Sequence, residues 1–128
     1  MGEKAVEVSG VTKVFRSGRM EAVALRGVDL TVEAGDFIAL AGPSGSGKTT
    51  LLNLIGCLDR PTRGEICIEG LSTNGLSADR RADFRARSIG FVFQSYNLIP
   101  VLNALENVEL PLLLQGVPAR ERHTRSLE

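Results

Sequence analysis

The stretch Gly42-Pro43-Ser44-Gly45-Ser46-Gly47-Lys48-Thr49 decides how this chain is read. It fits the pattern G-x-x-x-x-G-K-[ST], in which a glycine-rich turn cradles phosphates. Gly42, Gly45 and Gly47 allow backbone conformations closed to other residues and let main-chain N–H groups approach an anion. Pro43, Ser44 and Ser46 fill the turn between them. Lys48 brings a positive charge to the β- and γ-phosphates, and Thr49 brings a hydroxyl able to ligate Mg²⁺. Thr50 adds a second hydroxyl near the α-phosphate.

The flanks suit that motif, which requires a strand before it and a helix after it. Asp36-Phe37-Ile38-Ala39-Leu40-Ala41 is a short apolar run and predicts a strand covered on both faces. Leu51, Leu52, Leu54, Ile55 and Leu58 follow Lys48 at helical spacing and predict one apolar helix face. The N-terminus of that helix would aim its free N–H groups and the positive end of its dipole at the phosphates. Pro61 disfavours helix at Arg60, so the helix is predicted to run until there.

The rest of the chain reads as a mixture of strands and helices. Val6 and Val8 alternate with Glu7 over Lys4 to Val8, and Val11 to Phe15 extends the strand. Ser17-Gly18-Arg19 is a turn. Ala22 to Val32 is again close to period two, with Gly27 as a bulge. Ala34-Gly35-Asp36 turns into the apolar run before the phosphate motif. Gly64 to Gly70 alternates as a strand. Leu76 to Arg87 predicts a helix with Ser77 as its N-cap. Ile89 to Phe93 predicts a second buried strand, ended by Gln94. Asn103 to Leu110 predicts a short helix interrupted by Pro111. A last polar helix starts around Pro118.

Composition narrows the function classes. The 128 residues carry 15 basic and 15 acidic side chains, so no net positive field argues for nucleic acid. Arg80, Arg81, Arg85 and Arg87 interleave with Asp79 and Asp83 and read as a solvated helix face. Cys57 and Cys67 show no metal-ligand spacing and read as buried thiols in a reducing compartment. Runs such as Phe37 to Ala41 are too short to span a bilayer. No apolar signal core follows Met1-Gly2-Glu3-Lys4. A cytoplasmic chain is expected, with any membrane association made through a partner.

A resemblance to a known family adds to this reading. The segment from Gly42 to Glu65, including Leu58-Asp59-Arg60-Pro61-Thr62-Arg63-Gly64-Glu65, is similar to the P-loop, helix and "LDxPTxGE" turn of ATP-binding cassette (ABC) transporter ATPase subunits. Ile89-Gly90-Phe91-Val92-Phe93-Gln94 resembles the strand leading into that family's Q-loop. Asn97 to Val108 resembles the segment that follows, in the wording of the lipoprotein-release and macrolide-exporter branch. The resemblance covers nearly the whole chain and corresponds to the N-terminal half of such a subunit. It implies an α/β P-loop NTPase core with an antiparallel β subdomain. The antiparallel part would be residues 1–36, the P-loop core through the Q-loop residues 37–94, and the start of a helical subdomain residues 95–128.

The resemblance also implies roles for single residues. Phe15 falls where the family stacks an aromatic ring, usually Tyr, on adenine. Gln94 would sense the γ-phosphate and ligate Mg²⁺ together with Thr49, since an amide can both coordinate and donate. The cofactors would be ATP and Mg²⁺. The partner would be an integral membrane permease seated on the region from Gln94 to Gln115, holding the chain on the inner face of the cell membrane. A full-length subunit would pair head to tail with a second copy. Tyr96 reads as an exposed or interface aromatic. His123, among Arg120, Glu121, Arg122 and Arg125, reads as a solvated helix residue and not as the family's switch histidine.

No signature sequence "LSGGQ" and no apolar run ending in Asp-Glu occur among the 128 residues. The expectation is therefore a truncated cassette that binds Mg-ATP and lacks the catalytic half, with no catalytic residue of its own. The alternative is a non-catalytic nucleotide-binding fragment, or a regulatory remnant, docked on a transporter. A P-loop kinase or GTPase would need a guanine-reading N-K-x-D or a phosphoryl lid, and neither is present.

Overall fold

The computed structural model describes residues 2–128, which form two compact units, one up to Arg81 and the other Ala82–Glu128. The first unit is built on an antiparallel sheet of order β2-β1-β3-β4. Its strands are β1 (Lys4–Ser17), β2 (Met20–Glu33), β3 (Arg63–Ile68) and β4 (Leu71–Ser72), and the helix α1 (Lys48–Ile55) packs on β2 and β3.

The two hairpin turns follow from their residues. β1 and β2 join through Gly18-Arg19, with Ser17 opposite Met20 and Gly18 at φ 60°. Glycine at the first of two loop residues is what a type II′ turn requires. β3 and β4 join through Glu69 and Gly70, both at positive φ, as in a type I′ turn.

Beyond an extra residue at Ala5, which opens the ladder, three bulges steer the long hairpin. Val8 pairs with Leu30 but Val11 with Val28, which leaves an additional residue in β1 at Ser9-Gly10. Val11 pairs with Val28 but Thr12 with Arg26, which makes Gly27 the extra residue of β2. Lys13 pairs with Leu25 and Val14 with Val23, so Ala24 is extra as well. Each such insertion reverses the face on which the following side chains lie. The face that carries Val6 and Val8 before the first bulge therefore carries Val11, Lys13 and Phe15 after it. Leu25 joins the same face as the ladder partner of Lys13.

The core of this unit sits on that face. Val8, Val11, Leu25, Ile66 and Ile68 of the sheet are buried together with Leu51 and Leu54 of α1 and with Cys57. Burial of each such side chain contributes about 1.5–3 kcal/mol. Gly64 is needed where β3 meets β1. It lies at φ 84°, and a side chain there would run onto the Gly10 carbonyl. The Cys67 thiol is half-buried, and burial with the nearby Glu65 and Glu7 carboxylates pushes its pKa up, which keeps it an unreactive thiol.

Four sequence-based expectations are corrected here. The helix after the phosphate motif stops at Ile55, well before Pro61. Cys57 takes a left-handed conformation (φ 56°), its N–H donates to the Leu54 carbonyl and the Leu58 N–H donates to the Asn53 carbonyl. That pair of bonds is a Schellman ending, with cysteine in the usual glycine position. Leu58 thus lies outside the helix and Leu52 faces solvent, leaving Leu51 and Leu54 as its buried pair. The runs Phe37 to Ala41 and Ile89 to Phe93 are not strands, and Phe37 and Val92 are 99% and 100% exposed. A strand exists through its ladder, and among the described residues neither run has one. Pro111 does not interrupt its helix.

The second unit contains the end of α2 (Ala78–Ser88), α3 (Ala104–Leu114) and α4 (Ala119–Leu127). Ser77 caps α2, its Oγ accepting from the Arg80 N–H at 3.3 Å. Asn103 and Glu106 form a reciprocal capping box at the head of α3. Pro111 is tolerated because its missing N–H affects one rung, and the Gln115 N–H still donates to the Pro111 carbonyl. Glu109 of α3 faces His123 (3.2 Å) and Arg122 (3.8 Å) of α4. His123 is exposed, as its charged neighbours predict. Among the described residues no helix is long and apolar enough to cross a membrane.

Candidate functional site

The loop from Gly42 to Gly47 closes on itself before α1 begins. The Ser46 N–H donates to the Pro43 carbonyl at 3.2 Å, and Gly45 and Gly47 stand at φ 78° and 90°. Gly47 is the N-cap of α1 and offers no side chain to its first turn. The first backbone bond of the helix is Leu51 N–H to the Gly47 carbonyl. The N–H groups of Lys48, Thr49 and Thr50 thus have no backbone acceptor among the described residues. They point out of the helix at the positive end of its dipole, an arrangement that suits an anion.

The hairpin sets the floor beneath this loop. A Cβ on Gly47 would lie 2.7 Å from the Ala24 carbonyl oxygen and 2.8 Å from Leu25 Cδ2. Only glycine fits that contact, so the loop is seated directly on β2. Above it lies an open depression of about 490 Å³ lined by Ala24 and by Ser44, Gly45, Gly47, Lys48, Thr49 and Thr50. Its volume falls within the range of small-molecule sites, roughly 300–1,000 Å³. Nothing in the sequence pattern marks Ala24, which reads as an ordinary strand residue until the bulge places it beside the loop.

Lys48 lies back over the loop. Its Nζ donates to the carbonyls of Gly42 (2.7 Å) and Pro43 (2.6 Å) and to Ser46 Oγ (3.2 Å). The ammonium is therefore held against the turn by these three oxygens. Gly42 matters to this arrangement, because a Cβ there would meet Ser46 Oγ at 2.9 Å. Thr49 and Thr50 present their hydroxyls on the same rim, and Thr49 is the exposed one. Amide donors, an ammonium and a hydroxyl around such a depression fit a polyphosphate with a divalent cation.

Phe15 lies on the sheet face that seats the loop, since Lys13 pairs with Leu25 and Phe15 follows Lys13 by two residues. Its ring is 46% exposed. Gln94 belongs to the second unit, is exposed, and has no hydrogen-bond partner among the described residues. The structure thus brings Gly42 to Thr50 together and places Phe15 on their side of the sheet, while Gln94 is described within its own unit. Among the described residues no group of three or more His, Cys, Asp or Glu could hold a metal ion.

Residues 25–128 match the ABC transporter family. The chain belongs to that family. An ABC transporter ATP-binding protein of Thermotoga maritima is 52% identical over 98% of this chain and 54% of its own length. The macrolide export ATP-binding/permease protein MacB of Azoarcus sp. is 46% identical over 98% of this chain and 19% of its own length. The dimeric post-hydrolysis structure of the cassette MJ0796 of Methanocaldococcus jannaschii, bound to ADP and Pi, superposes with a TM-score of 0.88 at 48% identity. It is covered over 54% of its chain by 95% of this one. This ABC chain therefore has the cassette's P-loop NTPase fold with an antiparallel sheet, and spans about half the length of these single-cassette relatives.

Proposed function

We propose that this chain is the nucleotide-binding half of an ABC transporter cassette and that residues Gly42 to Thr50 bind Mg-ATP. The observation that carries this is the head of α1, where three N–H groups without a backbone acceptor and the Lys48 ammonium border a depression seated on β2 at Gly47, whose position leaves no room for a Cβ. Binding exchanges the two neutral carbonyls held by Lys48 for charged phosphate oxygens, which are stronger acceptors. Thr49 would ligate Mg²⁺, with Gln94 as a second ligand and reporter of the γ-phosphate. Phe15 would stack on the adenine.

In the whole protein, this half would serve ATP hydrolysis that powers export or lipoprotein release through a membrane permease. The macrolide and pyoverdine exporters among its relatives support export as the process. The permease would dock on residues 94–115. Supporting this are the exposed apolar side chains of that region, among them Tyr96, Leu98, Val101, Val108 and Leu113. A head-to-tail pair of cassettes would complete each site, as the dimeric MJ0796 structures suggest.

Calorimetric titration with Mg-ATP tests the binding site. Lys48→Ala should weaken binding roughly 10- to 100-fold, the range expected for hydrogen bonds to a charged group. Equal affinity of the variant and the parent chain refutes the assignment.

A further inference from the structure

Lys13 stands at a junction that the phosphate motif does not include. Its side chain is only 12% exposed, and its Nζ has three neighbours. Asp59 Oδ2 lies at 2.7 Å, the Arg60 carbonyl oxygen at 2.7 Å, and the centroid of the Phe15 ring at 5.1 Å. Asp59 and Arg60 belong to the turn that follows α1. That turn is fastened to β1 by the Thr62 N–H to the Thr12 carbonyl (2.8 Å) and by the Val14 N–H to Thr62 Oγ1 (2.9 Å).

The geometry fixes the ammonium. Two of its three donors meet oxygens on a turn that is itself bonded to the strand, so the head group has no freedom to swing. Burial pushes the Asp59 carboxyl up, but the Lys13 ammonium, the Arg60 N–H and the Arg81 charge together hold it below its ordinary value, so the anchor stays ionised at neutral pH. Lys13 and Phe15 share a strand face, and the cation attracts the electron-rich face of the ring within the distance at which such contacts act. One face of Phe15 is thereby taken, and the half-exposed ring offers the other.

We propose that Lys13 is the positioning residue of the nucleotide base: clamped by Asp59 and Arg60, it holds the Phe15 ring in one orientation so that a purine stacks on the opposite face. This rests on the reading of Phe15 as the base platform. Its consequence is that the turn ending the P-loop helix and the platform for the base form one rigid piece. A ring held in place loses less freedom when the base arrives, so the clamp acts on affinity for the base and not for the phosphates.

Titration of the chain with Mg-ATP and, separately, with Mg-tripolyphosphate separates the two parts of the ligand. Phe15→Ala should weaken ATP about tenfold, the scale of one base stacked on an aromatic ring, and leave tripolyphosphate unchanged. Lys13→Met, which keeps the stem and removes the charge, should weaken ATP about three- to tenfold with tripolyphosphate again unchanged. Lys13→Arg should retain most of the ATP affinity, because a guanidinium can pair with the carboxylate and lie on the ring. Phe15→Ala with Lys13→Met should be no weaker than Phe15→Ala alone, since Lys13 acts through the ring.

Loss of ATP affinity in Phe15→Ala with none in Lys13→Met overturns the positioning role and leaves the platform standing. So does additivity of the two substitutions, or an equal loss of ATP and tripolyphosphate in Lys13→Met. An unchanged ATP affinity in Phe15→Ala removes the platform, and the positioning role with it. If Lys13→Met fails to fold, Asp59→Asn decides. It loosens the clamp while leaving the lysine in place, and an ATP-specific loss supports the role whereas no ATP-specific loss overturns it.

Discussion

Replacing Gly47 by alanine tests the seating of the phosphate loop on the hairpin, and the structure allows its two costs to be separated. Alanine at φ 90° carries the left-handed penalty of roughly 1–2 kcal/mol. Its methyl would also stand 2.7 Å from the Ala24 carbonyl oxygen and 2.8 Å from Leu25 Cδ2. The first neighbour is backbone and the second is a buried core side chain, so neither yields freely, and such overpacking costs about 1–3 kcal/mol. The sum is about 2–5 kcal/mol. Gly45→Ala is the control. It has a similar φ of 78°, yet a Cβ there meets nothing within 4 Å. Only the dihedral cost of roughly 1–2 kcal/mol applies. With unfolding followed by circular dichroism, Gly47→Ala should melt roughly 8–20 °C below the parent chain and Gly45→Ala roughly 4–8 °C below it. Equal shifts in the two variants would refute the close contact between loop and hairpin. A well-folded Gly47→Ala chain with undiminished Mg-ATP affinity would refute the claim that this contact shapes the site.

Two further outcomes follow from single side chains. The Asp59 carboxyl titrates below its ordinary value in the fold, so its pairing contributes stability above the unfolded carboxylate pKa, and that contribution disappears as pH falls through the folded one. Urea midpoints measured downward from pH 6 should therefore fall more steeply in the parent chain than in Asp59→Asn, and parallel curves would contradict the pairing. Asn107→Ala should cost about 2–3 kcal/mol, seen as a lower urea midpoint. Its Nδ2 donates to the Leu102 and Asn103 carbonyls at 3.0 and 2.9 Å and its Oδ1 accepts from the Ile99 N–H at 2.8 Å, so its loss strands several backbone groups of the preceding loop.

The parts of this fold that could be read from the chain are those where local chemistry decides. A phosphate-binding turn demands glycine, lysine and threonine at fixed spacing, and Gly42 to Thr49 supply them. The long hairpin shows through the alternation around Val6, Val8, Val28 and Leu30 and through Gly18 at the turn. The expectations that failed were those that depend on partners distant in sequence. Phe37 to Ala41 and Ile89 to Phe93 have the composition of buried strands, but composition cannot provide a ladder. The ending of α1 was hidden for another reason, since cysteine seldom takes a left-handed position and Cys57 gives no signal that it does. Lys13 and Asp59 stand 46 positions apart, and their contact becomes visible only once the turn after α1 is laid against β1.

The bulges of the hairpin decide where it is sensitive to changes in length. In most surface hairpins the loss of one residue is absorbed at the turn. Here deletion of Thr31, which lies in a regular stretch, would behave like a reading-frame error in the fold, since Leu30 and Val32 could no longer share a side, whereas deletion of Gly27, itself an extra residue, would remove a bulge and keep Leu25 on the side of Val28. Homologous cassettes that tolerate insertions in this arm should therefore carry them in even steps, or place them at Gly18 and Arg19, where no face has to be preserved.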